Sequence, residues 1–257
     1  MDETEELIRL IGRASVAMMG DVPGFELHMT RNCVLGLTGE PLADFNTLCV
    51  GPNPDAEAFL TRSVARVKAR GLPLLAMMSP HVAQTLAPVA TRLGLTAAGT
   101  SPLMVLRGET PVQPSRPLKI ARALGPELVR VAGDIASAAF AVPRDAVARC
   151  IDVGITETSG VEACIAWGDD GPMSVVSVTP TGSTAGIWSM GTLAEHQGKG
   201  IGRALLTRVI DDYRGRGVDR FFLIATEAGR PLYTSLGFET IADLSAWVLG
   251  QSAQVHG

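Results

Sequence analysis

The chain has 257 residues, a hydrophobic share of 46%, a charged share of 19% and a formal net charge of -4. That apolar content supports a real core and excludes a disordered chain, while mild acidity without a long basic run argues against nucleic-acid binding. The length admits one large domain or two of ordinary size. The acidic start (Asp2, Glu3, Glu5, Glu6) is unlike a signal peptide, and no apolar run reaches the ~18 residues of a membrane span, so a soluble cytoplasmic protein is expected. Cys33, Cys49, Cys150 and Cys164 lack CxxC or metal-ligand spacing, so they read as buried free thiols with no metal.

Apolar positions Leu7, Ile8, Ile11, Ala14 and Met18 recur at helical spacing over residues 4–19. Runs at 25–30 and 33–38, separated by Arg31 and Asn32, predict a hairpin, and 46–50 predicts another strand. Asn53, Pro54 and the acids after them predict a helix start, with Phe59, Leu60, Val64 and Val67 on its buried face. A strand at 72–78, a helical stripe from Val82 to Leu93 and a strand at 103–106 complete the first half. Residues 108–117 are dense in Pro, Gly and polar side chains and mark the best boundary. The expected organisation is a domain at 1–110, a linker at 111–117, a second domain at 118–250 and a tail at 251–257.

The second half opens with a strand at 118–123, then a helix from Pro126 and a shorter one from Pro143. Strands are expected at 161–167, 173–179 and 186–192, then a helix at 201–214, a strand at 221–226, a short helix at 229–236, and strands at 238–241 and 244–249. The two halves repeat one order of elements, with an added first strand, second helix and last strand in the second. They differ at one loop. Gln197-Gly198-Lys199-Gly200-Ile201-Gly202 joins a strand to a helix and can turn backbone N–H groups toward a phosphate. Its counterpart, Gly51-Pro52-Asn53-Pro54-Asp55-Ala56, loses two donors to proline and carries an acid, so the first half is not expected to bind an anionic cofactor there. A dinucleotide fingerprint and a Walker A loop both fail on glycine spacing.

With this loop, Leu232-Tyr233-Thr234-Ser235-Leu236-Gly237-Phe238 and the element order over 118–249, the second half resembles the GNAT superfamily of acyl-CoA-dependent N-acyltransferases. The whole chain looks like a tandem GNAT protein with a degenerate first copy. The resemblance implies an α/β (α+β) fold of two GNAT-like mixed β-sheet domains with flanking helices. It implies acetyl-CoA as cosubstrate, no metal, and transfer of acetyl to a primary amine of a small molecule or peptide by direct attack. Nucleic acid and membrane are not expected partners; a homodimer is left open.

The resemblance also implies site residues. Gly198, Gly200 and Gly202 let the backbone approach a pyrophosphate, with amides of Gln197, Lys199, Ile201 and Arg203 donating and the Lys199 and Arg203 side chains assisting. Met190, Gly191 and Thr192 would pair with the pantetheine arm and polarise the thioester carbonyl. Thr226 stands where many relatives hold an Asn that contacts the cofactor. Tyr233 would protonate the departing thiolate; its ordinary alternative is a tyrosine packed on the core. No general base is identified: Glu162, Glu227 and His196 read as surface or packing residues, and Cys150 and Cys164 as buried thiols rather than nucleophiles. A non-catalytic CoA-binding sensor or scaffold, and a transferase of another acyl group, are the alternatives.

Overall fold

The computed structural model describes residues 2–108, 118–156 and 159–250; the linker and tail expected above lie outside them. Helix α1 (Glu3–Met19) begins where the Asp2 carboxylate accepts from the Thr4 amide at 3.3 Å, with Glu3, Glu5 and Glu6 at the positive end of the helix. Strands β1 (Glu26–Met29) and β2 (Cys33–Leu37) form the expected hairpin, followed by β3 (Asn46–Val50). Helix α2 (Ala56–Ala69) starts later than Pro54 suggests. The Asn53 side chain accepts from the Asp55 amide at 2.8 Å and its carbonyl from Ala56 at 3.0 Å, so Asn53 builds a turn ahead of the helix. Strand β4 (Leu74–Met78), α3 (Pro80–Arg92) and β5 (Thr96–Arg107) end the first half. β5 is three times longer than the predicted 103–106, because its first residues are small and largely exposed and so carry no apolar alternation.

After β6 (Lys119–Arg122) come α4 (Gly125–Phe140), α5 (Arg144–Cys150), β7 (Glu162–Gly168), β8 (Gly171–Thr181) and β9 (Thr184–Thr192). Then follow α6 (Ile201–Gly215), β10 (Arg220–Ile224), α7 (Arg230–Ser235) and β11 (Glu239–Leu249). The two expected last strands are one: breaks in register after Thr240 and Ser245 absorb the polar interruption.

Among the described residues one sheet of eleven strands runs β1-β2-β3-β4-β11-β5-β10-β9-β8-β7-β6. The order reveals an exchange. The last strand of the second half, β11, pairs with β4 of the first, and the last strand of the first, β5, pairs with β10 of the second. The two exchanged strands pair with each other at the centre.

Side chains of β10 alternate between faces, as a pleated strand requires. Phe221 and Leu223 pack with Leu205, Tyr213 and Tyr233 on the α6 side, while Phe222 joins Leu7, Ile11 and Met77 on the α1 side. Ion pairs also cross the halves: Glu6 and Glu3 of α1 hold Arg220, and Glu40 holds Arg149 through two bonds of 2.5 and 2.8 Å.

Candidate functional site

β9 and β10 run parallel only from Thr184↔Arg220 to Gly186↔Phe222. Beyond that pair they separate, because β10 continues along β5 as far as Ile224↔Leu103 while β9 stays with β8. A bulge sharpens the fork. Ser189 and Met190 together face the single Val176, and Ser189 takes a left-handed φ of 48°, unusual for a residue with a Cβ. Trp188 closes the base of the fork, its ring edge-on to Phe222 at 5.8 Å and its indole N–H donating to Thr179 Oγ1 at 2.7 Å.

The glycine loop sits beyond the open end of β9. Gly198 and Gly200 adopt φ of 69° and 76°, and a Cβ on either would meet nothing within 4 Å, so conformation rather than crowding demands glycine there. Gly202 differs: its Cβ would meet Met190 Cε and Thr192 Oγ1 at 3.0 Å. That glycine lets α6 pack onto the end of β9. Gly191 is likewise a packing glycine, since a Cβ there would lie 2.8 Å from that of Ala139. Gln197 is already engaged. Its amide donates to the Ala194 carbonyl at 3.2 Å and its carboxamide to the Thr192 carbonyl at 3.0 Å, which fastens the loop to the strand end. Beyond Gly200, α6 begins at Ile201, and the amides of Ile201, Gly202 and Arg203 lie ahead of the helical ladder. Lys199 is exposed and Arg203 half-exposed on this turn.

Thr192 Oγ1 shares a 2.9 Å bond with Ser174 Oγ, which also donates to the Gly191 carbonyl at 2.7 Å. The Thr226 hydroxyl accepts from the Gly229 amide at 3.1 Å and caps the turn into α7. Tyr233 follows one turn later, 9% exposed, its ring 5.8 Å from that of Phe238. Burial pushes its phenol up to about 12, so it is protonated throughout the neutral range. Its neighbour Leu232 and the β9 residue Met190 both approach Gly202, which brings α7, α6 and the end of β9 together.

The two carboxylates set aside as bases are held in ion pairs. Glu162 is paired with Arg216 at 2.5 Å and Arg122 at 3.3 Å, and the Arg216 hydrogen bond holds its carboxyl low. Glu227 faces Arg230 at 3.9 Å, and His196 belongs to a short 3-10 turn before the loop. All four cysteines are buried free thiols, and burial raises Cys150 and pushes Cys164 up to about 11, the opposite of an activated nucleophile. Among the described residues no helix is long and apolar enough to cross a membrane.

Two features escaped the sequence reading. One is the bulge at Ser189, for which the residue types carry no signal. The other is an open hollow of about 230 Å³ at the fork on the α1 side, lined by Trp188, Ser189 and Ile224 together with first-half residues including Ser15, Asp44 and Met77. Larger hollows of about 790 and 650 Å³ lie along α6 with β6–β7 and along the start of α4, away from the fork.

The first half has no such fork. β3 pairs in parallel with β4 from Thr47↔Leu75 to Val50↔Met78, and the Ser79 amide extends the seam to the Val50 carbonyl at 3.0 Å. The Pro52-Asn53-Pro54 loop stands over a closed seam, so substitutions of loop and sheet agree.

The sequence model described as "Acetyltransferase (GNAT) family" matches residues 144–238. The chain thus carries a GNAT-family acetyltransferase domain in its C-terminal part, and its class is an acyltransferase. A GCN5-related N-acetyltransferase from Kribbella flavida superposes with a TM-score of 0.72 at 17% identity, covering 99% of this chain and 98% of its own. A tandem GNAT protein from the clavulanic acid biosynthesis pathway gives 0.60 at 17% identity, covering 95% and 88%. A GCN5-related N-acetyltransferase from Sphaerobacter thermophilus gives 0.60 at 17% identity, covering 96% and 92%. At such identities the likeness is one of fold. No curated protein matches the sequence.

Proposed function

We propose that the chain is a cytoplasmic acetyl-CoA-dependent N-acetyltransferase that moves acetyl to a primary amine by direct attack, using two GNAT-like halves (1–110 and 118–250) of which the second binds the cosubstrate. The observation that carries this is the β9–β10 fork with a glycine-turned helix N-terminus at one side and Tyr233 at the other. The open space over Gly198 and Gly200 fits a pyrophosphate, and the unpaired edge of β9 past Gly186 fits an amide-containing arm. Gly198, Lys199, Gly200, Ile201 and Arg203 would hold the phosphates; Met190, Gly191 and Thr192 would line the arm. Acetyl-CoA, when bound, supplies a thioester carbon open to a nitrogen nucleophile.

The chain's own groups then divide the work. An N–H freed by the Ser189 bulge polarises the carbonyl. A C–N bond forms and the C–S bond breaks, the neutral amine giving up one proton as the thiol gains one. Tyr233 presents its Oη proton to the leaving sulfur. A phenol near 12 is a weaker acid than a thiol of ~8.5, so Tyr233 keeps its proton and stabilises the departing thiolate by hydrogen bonding, and the thiolate takes up the proton that the amine gives up.

Isothermal titration tests the cosubstrate assignment. Acetyl-CoA should bind at one site, and Gly200→Glu, which places a carboxylate in a left-handed position of the cradle, should weaken it at least a hundredfold with the circular dichroism unchanged. Unchanged affinity in the variant would remove the loop from the site.

A further inference from the structure

The hollow behind the fork has a composition that selects an occupant. At its inner end stand Trp188, Ser189 and Ile224, the two banks of the fork. The walls are mainly apolar and come from both halves, Ile11, Met77 and Ile155 among them, with Thr47 and Ser177 as polar members. Ser15, a third polar member, already donates its hydroxyl to the Ile11 carbonyl at 3.0 Å. Asp44 is the one carboxylate of the lining among the described residues, and it is exposed whereas the adjoining Phe45 and Met77 are buried, which puts it at the rim.

We propose that this hollow is the acceptor site, built jointly by the two halves, and that its substrate is a small primary amine on an apolar body, of the arylalkyl or branched alkyl class, admitted as a cation past Asp44. The inference rests on the reading of the fork as an acyl-CoA site. A peptide N-terminus or a polyamine would have to leave polar groups unpaired against these mainly apolar walls, which costs affinity for each group. A long acyl chain threaded through the fork would fill the same space and leave none for an acceptor. The rim carboxylate raises the local concentration of cations without contacting the reacting atoms, so its removal affects KM rather than kcat.

The test is a steady-state thiol-release assay on the full chain with acetyl-CoA and three acceptors: 2-phenylethylamine, spermidine and an Ala-Arg dipeptide. The expected kcat/KM for 2-phenylethylamine exceeds the other two at least a hundredfold. Ser15→Leu, which projects into the hollow, raises its KM at least tenfold with acetyl-CoA affinity retained. Asp44→Asn, an exposed change that keeps the shape, raises its KM about fivefold with kcat unchanged, and leaves the binding of neutral 2-phenylethanol unaltered by isothermal titration. Equal or faster turnover of spermidine or dipeptide overturns the acceptor class while leaving acyl transfer intact. So does preference for hexanoyl-CoA over acetyl-CoA with competition between hexanoyl chain and amine. Failure of acetyl-CoA itself to bind overturns the reading of the fork instead.

Discussion

Trp188 stands edge-on to Phe222, their planes at 88°, at the point where β9 and β10 part. Phe222 is the last β10 residue to pair with β9, through Gly186, and a Cβ on Gly186 would lie 2.8 Å from the Trp188 ring. The indole therefore wedges the fork at its base: glycine admits it on one strand, and an aromatic edge supports it on the other. Trp188→Ala should remove that wedge. The expected result is a loss of about 3–5 kcal/mol in urea unfolding, in the range for truncating a large aromatic against the core. A loss under 1 kcal/mol would show that the fork stands without it.

Tyr233→Phe should lower kcat about a hundredfold, the low end for removal of a positioned proton donor, with KM for acetyl-CoA unchanged. The phenylalanine ring keeps the packing on Phe238, so the variant separates chemistry from stability. Equal turnover at neutral pH would relieve Tyr233 of its proposed part.

The chain holds two tyrosines, and burial raises both, Tyr233 to about 12 and Tyr213 further. A phenol raised in the folded state favours folding below its unfolded value of ~10 and withdraws that contribution as pH climbs toward the folded value. Stability should fall between pH 10 and 12, by roughly 3 kcal/mol from Tyr233 alone. Absorbance at 295 nm should show no phenolate below about pH 11 except in step with unfolding; a simple titration near 10 in folded protein would contradict the burial argument.

Restoring glycines in the first half should not create a second cosubstrate site. In Pro52→Gly/Pro54→Gly the loop regains amides, but β3 and β4 remain paired along Thr47 to Val50. Calorimetric stoichiometry should stay at one acetyl-CoA per chain; a value of two would mean that the prolines alone silence the first copy.

A fragment of residues 118–257 should be insoluble alone and recover when expressed with 1–108. It lacks β5, which covers β10, and β4, which covers the other edge of β11. A soluble, active fragment would mean that the exchanged strands are dispensable.

Much of this was legible where side chains carry period and punctuation. The helical stripes, the hairpin around Arg31-Asn32, the Gly198–Gly202 loop and the Leu232–Phe238 segment announce themselves through apolar spacing and glycines. What residue types cannot announce is pairing between distant backbones. Thr96–Ser101 reads as a polar connection until β11 lies against it, and a bulge needs only one extra residue, here serine, in a strand of ordinary composition. The acceptor hollow was hidden for the same reason: Asp44 and Trp188 are 144 positions apart and line one hollow only because the two halves share one sheet. Met77, within the strand expected at 72–78, also lines the hollow.

The exchange of last strands has a consequence for synthesis on the ribosome. The edge of β4 lacks its neighbour until β11 has been made, and at about 5–20 residues per second that delay is roughly ten to thirty seconds. During it the nascent chain presents the apolar run Leu74–Met78 as an open strand edge, a template for pairing with any other chain. Completion of the sheet, and with it of the wall that Met77 lends to the hollow, waits for residues 239–249. A ribosome that stalls short of them yields a chain with its glycine loop already translated but no finished enzyme.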